Sequence, residues 1–136
     1  MGGVNNPAPA MTELVYAEIT SDFSTTSTTY TDVTGLATGS FTSSRPIMVI
    51  LHANELQNTV SGQTTSLGLF DTSNTQFGET YLFAAQNFDD IPGAVRRRFP
   101  AGTYSFKARI KVTGTSTGTV KASSIIGNTH IQVLSL

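Results

Sequence analysis

Between residues 101 and 122 (AGTYSFKARIKVTGTSTGTVKA) apolar and polar positions alternate. Tyr104, Phe106, Ala108, Ile110 and Val112 take every second place, with Ser105, Lys107, Arg109 and Lys111 between them. Successive side chains of a strand project to opposite faces, so this spacing predicts a strand with one apolar and one wet, cationic face. Pro100-Ala101-Gly102 breaks the chain before it. The stretch GTSTG (114–118) then turns it into 119–122, where Val120 and Ala122 continue the apolar face. The pattern predicts a β-hairpin and an antiparallel all-β class.

Two stretches depart from simple alternation. In 47–53 (IMVILHA), Ile47, Val49, Leu51 and Ala53 point one way, while Met48, Ile50 and His52 point the other. In 130–136 (HIQVLSL), Ile131 and Val133 oppose Leu134 and Leu136. A strand of a two-layer antiparallel fold normally shows one face to water. A strand apolar on both faces needs two covers. The domain core is one, and a second subunit is the expected other. Both strands are therefore placed centrally, at a subunit seam of Ile47, Val49, Leu51, Leu134 and Leu136.

Shorter apolar runs at 14–20, 65–70, 79–85 and 95–99, and the spacing of Tyr30, Val33 and Leu36, add further strands. The Ser/Thr tract 21–30 reads as a polar loop, as do 57–63 and 87–93. DTSNT (71–75) reads as a turn cluster. The total is about eight or nine short strands without a helix, which predicts a sandwich or barrel. Residues 1–13, with Gly2, Gly3, Asn5, Asn6, Pro7 and Pro9, read as a flexible arm preceding one domain at 14–136. Asn5, Asn6 and Pro7 are candidate contacts to a neighbouring surface.

A chain of 136 residues without cysteine is long enough for one β core and forms no disulfide or cysteine-ligated metal site. Charged residues are 12% of it, against about a quarter in ordinary domains, and the formal net charge is −1. Ser and Thr together supply roughly a quarter. This weakly charged, hydroxyl-rich composition argues against nucleic acid, whose binders need a basic face. The opening MGGVNNPAPAMTEL has neither a basic n-region nor an apolar h-region, and no apolar run is long enough for a bilayer. Synthesis in a cytosol and no membrane insertion are the expectations.

Candidate chemistry is sparse. His52 and His130 both fall within strands, without a nucleophile-elbow signature, and read as structural histidines. A metal shared by one such histidine from each of three subunits is the other reading. Asp89-Asp90 is the only adjacent acid pair, and neighbours on a strand point apart. Asp71–Thr75 lacks the spacing of a calcium loop. No catalytic residue, metal ligand or cofactor is assigned, and no enzyme activity is expected. Arg96-Arg97-Arg98 is the one basic run. Alternation places Arg96 and Arg98 together with Arg97 opposite, either protecting an edge strand or contacting an acidic partner. Most aromatic residues are read as core or seam, while Tyr30, Phe77, Tyr81 and Phe88 stay candidates for sugar stacking.

The segments PAGTYSFKARIKV, YTDVTGL and HIQVLSL resemble the small trimeric jelly rolls of bacteriophage virions. These are similar in outline to the tumour-necrosis-factor and C1q-like fold, and occur as capsid decoration (cement) proteins and tail-fibre heads. The resemblance spans roughly residues 14–136 and carries no site residues with it. It implies an antiparallel jelly-roll sandwich of about eight strands, assembled as a homotrimer. It further implies a virion protein, made in the host cytoplasm, that binds the major capsid protein and stabilises the shell. The alternative is a head that binds a host surface receptor or glycan. A long shaft commonly carries such a head, and the decoration role is the expectation for a chain of this length.

Overall fold

The structure is a computed structural model, which describes residues 11–136. The contacts expected at Asn5, Asn6 and Pro7, and most of the expected arm, lie outside the described residues.

Ten strands account for most of the described chain: β1 (Thr12–Glu18), β2 (Phe23–Thr25), β3 (Thr31–Ser43), β4 (Ile47–Asn58), β5 (Thr64–Asp71), β6 (Gln76–Phe83), β7 (Asp89–Phe99), β8 (Gly102–Val112), β9 (Gly118–Val120) and β10 (His130–Ser135). All pair antiparallel. One sheet runs β1-β10-β4-β7, the other β3-β8-β5-β6. β7 takes one edge of β4. β10 takes the first half of the other edge and the short β9 takes its far end, with β2 beyond. Apart from β2 and β9, this is the eight-stranded jelly roll, an antiparallel sandwich as the strand pattern predicts.

Alternation explains the core. From β8, Phe106, Ala108, Ile110 and Val112 point between the sheets and are buried; Leu67 and Leu69 of β5 join them. From the other sheet come Ile47, Val49, Leu51, Ala53 and Leu56 of β4, with Ile131 and Val133 of β10. The cationic face of β8 lies outside, where Lys107 and Arg109 pair with Asp32 at 3.1 and 2.9 Å.

The expected hairpin does not form. β8 pairs with β3 and β5, whereas β9 pairs with β4 and β2 in the other sheet. Residues 113–117 carry the chain across the sandwich instead of doubling it back. Gly118, read from sequence as part of the turn, is a buried strand residue. A Cβ there would stand 2.5 Å from Val112 Cγ1 and 2.7 Å from Thr65 Oγ1. The crossing needs that close approach, which only glycine permits.

Boundaries shift as well. β1 starts at Thr12, inside the expected arm. β2 arises within the Ser/Thr tract, where Ser24 and Thr119 share a 2.7 Å hydrogen bond. β4 runs five residues past Ala53 to Asn58, and β7 already begins at Asp89, within the expected loop 87–93. Polar residues extend these strands because each has a partner strand across the ladder.

The expected seam is corrected in part. Ile47, Val49 and Leu51 are 0% exposed within one subunit and belong to its core. One chain hides them unaided, because the second sheet covers that face. β4 and β10 are central neighbours, and their opposite face is the one left partly open.

Candidate assembly interface

The outer face of β1-β10-β4-β7 is built row by row from the register. The first row reads Arg98, Met48, Leu134, Glu13 across β7, β4, β10 and β1. The second reads Arg96, Ile50, Gln132, Tyr16, and the third Ala94, His52, His130, Glu18. Met48, Ile50 and Leu134 form a half-buried apolar strip along the middle. Arg96 and Arg98 are exposed on one edge, Glu13 and Glu18 on the other. Among the described residues none of these four forms an ion pair.

A register shift in β1 between Glu13 and Val15 decides the acidic edge. Strict alternation would put Leu14, Tyr16 and Glu18 on one face. The bulge lets Glu13 return to the outer face opposite Leu134, where it accepts a 2.8 Å hydrogen bond from Gln132 Nε2. Tyr16 donates to Glu18 at 3.2 Å. Burial, then that bond and the charges of Glu18 and Glu13, raise the Tyr16 phenol above its ordinary pKa.

His52 and His130 are direct cross-strand partners with ring centroids 5.4 Å apart, and Tyr16 stacks on His130 at 5.2 Å. His130 Nδ1 lies 2.9 Å from the Asn128 carbonyl. The three rings cap the apolar strip. Among the described residues no cluster of three metal-ligating side chains occurs. The pairing of the histidines could not be read from sequence, since it depends on which strands are neighbours.

The other expected contacts scatter. Arg97 points away from Arg96 and Arg98, as alternation predicts, and its Nη1 donates to the Phe77 carbonyl at 3.2 Å. Leu136 closes the chain end: its N–H donates to Pro46 O at 2.9 Å, and its carbonyl accepts from Arg45 Nε at 2.6 Å. Asp71 Oδ1 accepts from the backbone of Ser73 and Thr75, both at 2.9 Å, so this carboxylate holds its own turn. Asp89 likewise bonds the backbone N–H groups of Ala85 and Asp90.

Two other surfaces carry aromatics. On the outer face of the second sheet Tyr30 packs edge-on to Phe70 at 4.8 Å, with Lys111 Nζ 4.6 Å from the Tyr30 ring centre. Tyr30 also donates to Glu79, and burial with that bond pushes its phenol far above the ordinary tyrosine range. At one end of the sandwich Tyr81, Phe83 and Phe88 are 59%, 62% and 64% exposed. Phe88 holds a positive φ of 58°, which bulky residues rarely adopt.

No protein-family model matches the chain, and no curated protein matches it in sequence. Among solved structures, it is similar to the infectious bursal disease virus VP2 subviral particle, with a TM-score of 0.44 at 12% identity over 93% of this chain and 32% of that one. The Gt strain of the same virus gives 0.43 at 12% identity, over 93% and 37%. The chain thus spans about a third of the length of these structures. The jelly-roll assignment rests on strand order and register, not on these likenesses.

Proposed function

We propose that the chain is a virion structural protein, a capsid decoration protein of bacteriophage type that sits on the shell as a homotrimer and stabilises it. It acts by binding rather than catalysis. The observation that carries this reading is the half-buried strip of Met48, Ile50 and Leu134 in the middle of a strand face, flanked by unpaired charge. A face of that kind is suited to being covered. The stabilising mechanism is mass action: a trimer that binds one state of the shell and not its disrupted state raises the stability of the bound state. The partner is the major capsid protein, and the protein is made in the host cytoplasm before joining the particle.

The test is to add the purified protein to shells that lack it. Bound protein and greater resistance to heat or chaotrope are expected. Shells that neither bind it nor gain resistance would end this reading.

A receptor- or glycan-binding head is the second reading, favoured by one observation. Phe88, on the turn between β6 and β7, exposes its ring at a positive φ, and Tyr81 and Phe83 towards the end of β6 and Ile91 near the start of β7 are exposed as well. Strained, exposed aromatics are a common feature of ligand sites. This reading expects the protein to bind host cells or polysaccharide, and Phe88→Ala to abolish that binding. Equal binding by the variant would remove it.

A further inference from the structure

The outer face of β1-β10-β4-β7 is electrostatically two-sided, and its two sides fit each other. Arg96 and Arg98 mark the β7 edge; Glu13 and Glu18 mark the β1 edge. The rows coincide: Arg98 and Glu13 close the two ends of one row, while Arg96 lies one row further, level with Tyr16 between the two glutamates. All four charged side chains are exposed, and among the described residues none has an ion-pair partner. Elsewhere on the molecule, Lys107 and Arg109 are paired with Asp32, and Lys121 with Asp22. Between the charged edges lies the apolar strip.

We propose that the occupant of this face is a second copy of the same chain, placed so that the Arg96/Arg98 edge of one copy meets the Glu13/Glu18 edge of the next. The inference rests on the assembly reading above and specifies its contact. Charge complementarity argues for self-association over a foreign partner, because the face carries both halves of the match. A foreign surface would have to supply a negative and a positive margin at the same separation. An overlap of opposite margins also brings Leu134 and Met48 of neighbouring copies together, removing half-exposed apolar surface from water. A two-fold arrangement satisfies both margin pairs at once, whereas a head-to-tail arrangement satisfies one pair per contact and closes into the ring that the proposed trimer requires. Like-charged margins meeting in any other register would repel.

The test is charge exchange. The oligomeric state of the full chain is measured by sedimentation for the unmodified protein, for Arg96→Glu/Arg98→Glu, for Glu13→Arg/Glu18→Arg, and for the fourfold exchange in one chain. Each double variant is expected to weaken association by at least about tenfold. The fourfold variant reverses both margins and is expected to restore association, whatever the symmetry. Circular dichroism checks that each variant is folded; all four sites are exposed. Association of the unmodified protein should also weaken as salt rises. Double variants that associate like the unmodified protein would overturn the inference while leaving the shell-binding reading untouched. So would a fourfold variant that stays dissociated while folded, and a monomeric unmodified protein would overturn it as well. Conversely, rescued association with no shell binding would retain the contact and remove the decoration role.

Discussion

Asn58 donates from Nδ2 to Ser116 Oγ at 2.9 Å, joining residues 58 positions apart in the chain. The same amide donates to Thr65 Oγ1 at 3.0 Å, and its Oδ1 accepts from the Val60 N–H at 2.9 Å. Asn58 and Ser116 are both 0% exposed. This hub fixes the chain where it leaves β4 and where it crosses from β8 to β9. Asn58→Ala removes three hydrogen bonds at once, leaving the buried Thr65 and Ser116 hydroxyls only their bonds to the Gln57 and Thr113 carbonyls, and is expected to lower stability by about 2–3 kcal/mol. Urea unfolding checks this through a lower midpoint at unchanged slope; an unchanged midpoint would mean that the amide is dispensable.

Leu51 and Leu134 look alike in sequence but are opposites in the structure. Leu51→Asp puts an unpaired carboxylate between the sheets, costs several kcal/mol and is expected to prevent folding. Leu134→Asp changes the half-buried outer strip and is expected to cost only about 1 kcal/mol of subunit stability while weakening association. Far-ultraviolet circular dichroism and sedimentation separate the two outcomes. A Leu134→Asp protein that fails to fold would show that this face belongs to the subunit's own core.

Tyr30 provides a pH signature. Burial comes first among the causes that raise its phenol pKa, followed by the hydrogen bond to Glu79 and the Glu79 charge. A folded-state pKa above the unfolded one contributes stability that is fully present below the unfolded value, near ordinary tyrosine. That contribution is lost as pH climbs from there through the folded value. Stability should therefore fall with rising pH in the alkaline range, and Tyr30→Phe should make the fall shallower. Phenolate absorbance should show one tyrosine that resists titration until unfolding. Four tyrosines titrating together in the folded protein would contradict this.

Asp32 is expected to matter little. It pairs with Lys107 and Arg109, but its side chain is 57% exposed. Asp32→Ala should cost about 1 kcal/mol or less, measured by thermal unfolding, because water and salt screen such pairs. A larger loss would mean that the outer face of β3-β8 is more rigid than its exposure implies.

The alternation of β8 could be read because its two faces meet different media, core and water. The central position of β4 and β10 was equally legible from their doubly apolar character. The choice between their faces was not. Ile47 and Met48 are both apolar, and only the position of the second sheet decides that Ile47 is enclosed while Met48 is half open. The hairpin at 114–118 misled because a glycine-rich stretch that crosses between sheets has the same local chemistry as one that doubles back. Long-range pairing distinguishes them, through Asn58, Thr65 and the tight fit at Gly118. The acidic margin stayed hidden for a related reason, since the β1 bulge that turns Glu13 outward has no signature in residues 12–18. The basic margin at Arg96 and Arg98 was visible, but its complement needed the strand order.

Sedimentation equilibrium of the full, unmodified chain across a range of protein concentrations and salt tests the assembly claim most directly. A discrete oligomer, a trimer under the proposed function, is expected to dissociate as salt is raised. A single monomeric species at every concentration and low salt would contradict it.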